Sequence, residues 1–359
     1  MTVAVDTVST PAAEDLRSPR ENRPAMRDRK DPIEEAAGDS MDLYDVATWD
    51  VRTPLDKASA LIWRIAAGSA RLAVVGFAFL LLLGIGGLAA LTDPQIGLLT
   101  LLSAVPAIGL AAYVYSTDVT SSEPLSLLVA TFLLGVLTAN FAAVLNTVLR
   151  PYFQVLGFLG TALFFYIVVG PVEEVVKLLA VRLYAYTDDR FDAVLDGTVY
   201  GAMAGLGFAV IENALYITRQ LPNQGLDLGL GLIGAGGGIT AIRALAGPGH
   251  VIYSAIAGYY LGLAKFNPGK RGPIVVKGIL LASFVHATYN TTVGIGTAAI
   301  SIATGFTGLA PYLVYVIIYD GIFGLFLLRK IRRYRDSYKR AHAPKTTESD
   351  FDSELTEFE

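Results

Sequence analysis

Seven polar residues have side chains suited to acid–base or metal chemistry, although the sequence around them is apolar. They are Glu173, Glu174, Lys177, Glu212, His250, His286 and Asn290. An ionisable or amide group in apolar surroundings is costly unless it is paired or hydrogen-bonded. Seven such residues between positions 173 and 290 of one chain therefore indicate a candidate site.

The adjacent carboxylates Glu173 and Glu174 follow Gly170-Pro171, a pair that predicts a kink or break in a helix. Glu173 and Lys177 are four residues apart, so we expect them to form an ion pair on one helix face. Glu174 is turned about 100° away and has no partner by this geometry. Two carboxylates in different surroundings can ionise differently, as a general base requires. The alternative is an acidic pair at a helix start, stabilised by the helix dipole.

Two of the three histidines lie inside apolar segments. His250 follows Gly247-Pro248-Gly249, which predicts a break in that segment, and the stripe of small residues from Ser254 to Gly262 suits close helix packing. His286 lies midway along a later segment, with Asn290 one turn further on.

Together these residues support hydrolysis of an amide in either of two ways. Two imidazoles and the Glu212 carboxylate match a zinc site with one position open for water, and a further carboxylate can take a proton from that water. Without a metal, the same groups can activate water, with the histidines and Asn290 stabilising an oxyanion. Glu212 alone is also consistent with a helix end near a membrane interface.

Other catalytic motifs are weaker or absent from the sequence. The chain contains no cysteine and no His-Glu-x-x-His motif. Ser254 lies one turn from His250, and a Ser/His pair is the weaker alternative.

The composition of the chain indicates which structural elements position these residues. The 359 residues are 53% hydrophobic and 17% charged, and the mean hydropathy is +0.51. Residues 65–328 contain only 23 charged side chains, about a third of the density usual in soluble domains. This pattern excludes a soluble enzyme, a disordered chain and a nucleic-acid binder, and it predicts a multi-pass protein of the cell membrane.

We predict an all-α, polytopic transmembrane helix bundle of about eight spans. The candidate segments are 72–91, 95–116, 124–149, 152–184, 194–218, 239–264, 274–296 and 309–328. Residues 225–238, rich in glycine and leucine, fit a loop, a re-entrant piece or an early start of the sixth span. Lys and Arg cluster beside the start of the first span and after the fourth, sixth and eighth spans, which places both termini in the cytoplasm.

The same pattern divides the chain into five regions. Residues 1–64 form a polar, largely disordered tail; residues 65–150 hold three spans; residues 151–296 hold the catalytic motifs; residues 297–328 hold the last span; and residues 329–359 form a basic and then acidic tail.

The motifs in combination resemble the PrsW family of intramembrane proteases, over roughly residues 165–292. The segments that carry the resemblance are Pro171-Val-Glu-Glu-Val-Val-Lys177, Phe191-Asp192, Leu195-Asp-Gly197, Tyr200-Gly201, Gly205-x-Gly-Phe208, Glu212-Asn213, Tyr216, Arg243, Gly249-His250, Gly258, Gly262-Leu-Ala-Lys265 and His286-x-x-Tyr-Asn290. A more distant similarity extends to CAAX-type prenyl endopeptidases and bacteriocin-processing membrane proteases. Those relatives have a histidine where this chain has Glu212, which favours the PrsW branch.

The resemblance implies cleavage of membrane-tethered proteins, with an anti-sigma factor as the known type of substrate and no nucleic-acid partner. Carried over, Glu173 and Glu174 are the catalytic acid pair, and Glu212, His250 and His286 complete the site. Because the family is usually called a metalloprotease, the last three are the expected ligands of a metal such as zinc. In this hypothesis Glu174 activates water.

Two further hypotheses come from other classes. A transporter or proton-coupled channel would explain broken helices and carboxylates at membrane depth, although the two halves show no convincing internal repeat. A non-catalytic membrane scaffold or lipid-binding module could also retain a protease-like fold.

Overall fold

The computed structural model describes residues 33, 41–46, 48–84, 92–119, 123–220 and 238–342. The chain divides into two compact units, residues 1–63 and 64–359. The described part of the first unit is a short turn followed by a helix start. The Asp56 carboxylate satisfies that helix start by accepting the backbone N–H groups of Arg52 at 3.1 Å and Thr53 at 2.6 Å. The predicted disorder of the N-terminal tail falls mostly outside the described residues.

The described residues form helices and contain no β-sheet, which confirms the all-α prediction. The helices are α1 (Pro54–Gly84), α2 (Pro94–Tyr115), α3 (Leu125–Gln154), α4 (Gly157–Phe164), α5 (Gly170–Leu183), α6 (Val194–Gln220), α7 (Ile239–Lys265), α8 (Arg271–Thr304) and α9 (Ala310–Ala341). A π-helical turn, Phe165–Val169, joins α4 to α5, and 3-10 turns lie at Ala185–Thr187 and Pro268–Lys270.

Each predicted segment corresponds to a helix, or to the α4–α5 pair. The largest difference is in α1, which begins at Pro54 rather than near residue 72. Residues 221–237, with most of the glycine- and leucine-rich stretch, lie outside the described part. Within the described residues, six helices are long and apolar enough to cross a membrane: α1, α2, α3, α6, α8 with its preceding turn, and α9. The count of eight spans and the cytoplasmic termini stay predictions.

The kink expected at Gly170-Pro171 is present as the π-helical turn. Pro171 has no N–H, and the Gly170 N–H bonds the carbonyl of Phe165, five residues earlier. The chain continues into α5, and the side chains of α5 are rotated about the helix axis relative to an uninterrupted α-helix.

The break expected at Gly247-Pro248-Gly249 is wrong, because α7 runs without interruption through it. Neighbouring helices in a membrane bundle hold a proline-containing helix together. Gly247 lies against α2, where a Cβ atom would be 3.3 Å from the Ala107 side chain. Packing therefore outweighs the lost backbone hydrogen bond.

Helices α6 and α7 meet through faces of small residues, which confirms the packing role expected for the stripe after His250. A Cβ at Gly197 would overlap the Gly258 carbonyl oxygen, and one at Gly201 would overlap that of Ser254. Backbone-to-backbone contact of this kind requires glycine. It fixes α7 directly against α6, the helix that carries Glu212.

Gly201→Ala should destabilise the protein by about 1–3 kcal/mol, because the added methyl group has no space between α6 and α7. Thermal unfolding of the purified protein in detergent measures the change. The matched control is Gly109→Ala on α2, where the glycine is exposed and no atom lies within 4 Å of the position that a Cβ would take. An equal melting temperature for Gly201→Ala and the control would contradict the packing described here.

Candidate active site

Five of the predicted site residues line one cavity of about 420 Å³, and the other two lie buried behind its wall. The lining residues among them are Glu173, Glu212, His250, His286 and Asn290. Helices α3 to α8 all contribute to the wall. The structure therefore brings together residues that are up to 117 positions apart in the sequence.

The buried acid–base pair differs from the expected one. Lys177 Nζ lies 2.6 Å from Glu174 Oε1, at i,i+3, and it makes no ion pair with Glu173. Both partners are almost fully buried. The expected Glu173–Lys177 pair is therefore wrong: both spacings suit a helix, but Lys177 bonds Glu174, and Glu173 accepts a hydrogen bond from Asn146 instead.

Lys177 also determines how His250 is protonated. Its Nζ lies 3.0 Å from His250 Nδ1. An ammonium group can only donate, so Nδ1 accepts and the ring proton is on Nε2. His250 Nε2 lies 2.8 Å from Glu212 Oε2, and it donates to that carboxylate. The same Glu212 oxygen pairs with Arg243.

His286 is oriented by Glu174. Its Nδ1 donates to Glu174 Oε1 at 2.9 Å, so in the neutral imidazole Nε2 carries a lone pair. That atom lies 3.7 Å from Glu173 Oε2. The contact of α5 with α8 depends on Gly170, since a Cβ there would lie 2.6 Å from the Ser283 carbonyl oxygen.

Glu173 is held on one side only. Its Oε1 accepts a hydrogen bond from Asn146 Nδ2 at 3.0 Å, whereas its buried Oε2 has no hydrogen-bond partner among the described residues. Glu173 Oε2 and His286 Nε2 are thus two acceptors that face each other without a donor. Such an arrangement fits a bound cation, or a water molecule that donates to both.

The donor set fits a divalent metal. Glu173, His250 and His286 each contain a possible ligand atom, and these atoms lie within 4.8 Å of one another. Glu173 Oε2 and His286 Nε2 are free to bind, whereas His250 Nε2 would first have to release the proton that it donates to Glu212. Glu212 contacts His250 but is not part of that group. The hydrogen bond from His286 to Glu174 is the carboxylate–histidine contact that commonly supports a metal-ligating histidine.

The formal charge of the centre is negative. The ionisable side chains of the centre are three carboxylates and two basic groups: Glu173, Glu174, Glu212, Lys177 and Arg243. With neutral histidines the centre therefore has one negative charge in excess. One added positive charge, or one proton, would balance it.

Asn290 lines the cavity and makes no side-chain hydrogen bond within the described residues. Its amide is thus available to a substrate. Asn146 was missed at the sequence level, because a lone amide near the end of an apolar segment has no motif. Its position in the predicted third span was the available signal.

Two polar residues without an expected role also contact the site. Arg243 donates through Nε to Asn213 Oδ1 at 2.8 Å, in addition to its ion pair with Glu212. Asp320 accepts a hydrogen bond from Tyr253 at 2.7 Å, and the Tyr253 ring packs on His286 with centroids 5.5 Å apart. Arg243 therefore holds Glu212 in place, and Asp320 holds the Tyr253 ring that packs on His286.

Comparison with known proteins gives one family. Residues 123–322, more than half of the chain, match the family described as "PrsW family intramembrane metalloprotease". Protease PrsW of Geobacillus kaustophilus is 34% identical over 192 residues, which are 52% of this chain and 75% of that protein. Protease PrsW of Bacillus subtilis is 28% identical over 232 residues, 64% of this chain and 92% of that protein. No solved structure gives a significant match.

The matched region contains all seven predicted site residues. The match favours a peptidase over the transporter and scaffold hypotheses. This multi-pass membrane protein belongs to the PrsW family of intramembrane metalloproteases.

Proposed function

We propose that Glu173, His250 and His286 form the reacting centre and that Glu173, rather than Glu174, activates the water that attacks a peptide bond. The observation that supports this assignment is the unpartnered Oε2 of Glu173, which lies 3.7 Å from the lone-pair nitrogen of His286. Glu174, in contrast, is fully buried and bonded to Lys177 and His286. Glu174 is thus a positioning residue.

A water molecule can donate one hydrogen to Glu173 Oε2 and the other to His286 Nε2. Its oxygen lone pair then points to the substrate carbonyl. As the water oxygen attacks the carbonyl carbon, its O–H bond breaks and the proton passes to Glu173 Oε2. Glu173 later returns that proton to the amide nitrogen as the C–N bond breaks, which leaves a carboxylic acid and an amine.

Asn290 is the oxyanion donor in this proposal. It lies one helical turn after His286, it lines the same cavity, and its amide has no competing partner within the described residues. A donor aimed at the developing negative charge lowers the barrier more than it stabilises the bound substrate.

Glu173, His250 and His286 are the residues that would hold a divalent metal, with zinc as the first candidate because its usual ligands are nitrogen and carboxylate oxygen. Binding would require His250 Nε2 to release the proton that it donates to Glu212, and it would make Glu173 Oε2 a ligand in place of its role as the base. A bound zinc ion supplies Lewis-acid polarisation and lowers the pKa of its bound water. The hydrogen bond that His286 donates to Glu174 then fixes the His286 tautomer that leaves Nε2 free to bind.

The cavity suits a segment of a membrane-tethered protein. Aromatic rings of Phe153, Phe164 and Phe165 line one part, and Arg150 and Arg219 line another. In the predicted orientation the C-terminal ends of α3 and α6, and with them this cavity, lie towards the extracytoplasmic side. We propose a tethered substrate of the anti-sigma-factor type, cleaved near that face.

Glu173→Gln should lower kcat/KM for a tethered reporter peptide in liposomes by about 10²–10⁴-fold, because it removes the proton acceptor. Glu174→Gln should cost less, about 10–100-fold, since it removes the charge partner of Lys177 and weakens the orientation of His286 but leaves the proton acceptor in place. The rates are measured by gel analysis of the cleaved reporter. Asp189→Asn, an exposed carboxylate outside the cavity, is the control for surface charge.

A smaller loss for Glu173→Gln than for Glu174→Gln would reverse the proposed roles. The comparison uses only variants whose melting temperature in detergent stays close to that of the wild type.

Metal analysis by mass spectrometry should find about one zinc per purified chain, lost in His286→Ala. Asn290→Ala is the matched control, since it should keep the zinc and still lose about 10²–10³-fold in kcat. Wild-type protein that cleaves its substrate without stoichiometric metal would contradict the metal part of the proposal and leave Glu173 as the water-activating base.

A further inference from the structure

A second group of carboxylates lies at the other end of α3 and α6, away from the cavity. Asp118 follows α2, Glu123 precedes α3, and Asp196 lies in the first turn of α6. One carboxylate oxygen from each residue lies within 4.8 Å of the others. Asp196 is 16 residues before Glu212 on the same helix, a rise of about 24 Å, so this group is separate from the candidate active site.

Each of the two buried carboxylates is anchored through one oxygen. Asp196 Oδ2 accepts the backbone N–H groups of Asp192 at 2.7 Å and Ala193 at 2.8 Å. Glu123 Oε2 accepts the Tyr200 hydroxyl. These contacts fix the side chains in place and leave the second oxygen of each for another partner.

The second oxygens have no such partner in the part of the chain that the structure describes. Asp196 Oδ1 and Glu123 Oε1 are buried without a hydrogen bond, on residues that are 0% and 3% exposed. A buried carboxylate oxygen without a donor is costly, and natural proteins rarely leave one unsatisfied. Two of them within one group of three carboxylates point to a bound positive charge.

No basic side chain of the described residues forms an ion pair with Glu123 or Asp196. The nearby Lys265 is engaged elsewhere: its Nζ donates to the Asp188 carbonyl oxygen at 3.1 Å and lies 4.3 Å from the centre of the Phe191 ring.

We propose that Asp118, Glu123 and Asp196 bind one hard divalent cation, Ca²⁺ or Mg²⁺. Such ions take oxygen ligands, with Ca²⁺–O distances of about 2.3–2.6 Å, so oxygens on opposite sides of one ion lie about 4.6–5.2 Å apart. The three carboxylates satisfy that limit. The site lacks the nitrogen and sulfur donors that zinc prefers. A bound cation would clamp the connection between α2 and α3 to the start of α6.

The test uses the full-length protein in detergent, treated with EDTA and exchanged into metal-free buffer. Addition of 1 mM CaCl₂ or MgCl₂ should raise the melting temperature by about 3 °C over NaCl of equal ionic strength, because the ion binds the folded state. The same rise should occur in His286→Ala, which lacks a donor of the candidate active site.

Glu123→Gln should abolish the rise, because it removes the negative charge and keeps an oxygen for the Tyr200 hydroxyl. Asp196→Asn provides a second test at another ligand. Asp189→Asn, an exposed carboxylate outside the group, should keep the full rise.

No rise with either cation in the wild type, or an undiminished rise in Glu123→Gln, would overturn the proposal. The three carboxylates would then share a proton instead. If both variants fold poorly, equilibrium dialysis of the wild type with ⁴⁵Ca²⁺ or Mg²⁺ tests the site instead. Bound cation is the expected result, and no bound cation would overturn the proposal.

Discussion

One buried ammonium group holds the candidate active site together. Lys177 Nζ contacts Glu174 on its own helix and His250 on α7, and it lies 4.4 Å from the centre of the Phe208 ring on α6. Glu174 in turn bonds His286 on α8. Contacts that join four helices, α5 to α8, therefore depend on this one buried charge. Removal of one member of a buried ion pair commonly costs about 3–5 kcal/mol, because its partner stays behind uncompensated.

The glycine faces of α6 and α7 are the second condition for the site. A Cβ at Gly205 would overlap the His250 carbonyl oxygen, and Gly205 lies two helical turns before Glu212 on one face of α6. The approach that only glycine allows thus brings His250 within 2.8 Å of the Glu212 carboxylate. The glycines of α6 set the distance between α6 and α7. Glu212, further along α6, depends on that distance for its contact with His250.

The sequence predicted the helices and the convergence of the polar residues, because apolar segment length and intramembrane charge are both local features. It did not predict which glutamate pairs with Lys177. The i,i+3 and i,i+4 spacings are both compatible with a helix, and the choice depends on where α7 and α8 place His250 and His286. The continuity of α7 through Pro248 was missed for a similar reason, since the supporting contacts come from helices distant in sequence. Asn146 gave no motif at all.

The chemistry of this protein depends on how many residues the π-helical turn before α5 contains, as well as on which residues line the site. A turn bonded from residue 165 to residue 170 contains one residue more than an α-helical turn. Every later residue of α5 is therefore rotated by about 100° relative to an uninterrupted α-helix. Loss of a single residue from this turn would leave every catalytic side chain present in the sequence, yet it would point the acidic pair towards a different neighbour. In an alignment, a one-residue gap at this turn is consequently a stronger sign of altered function than many substitutions around it.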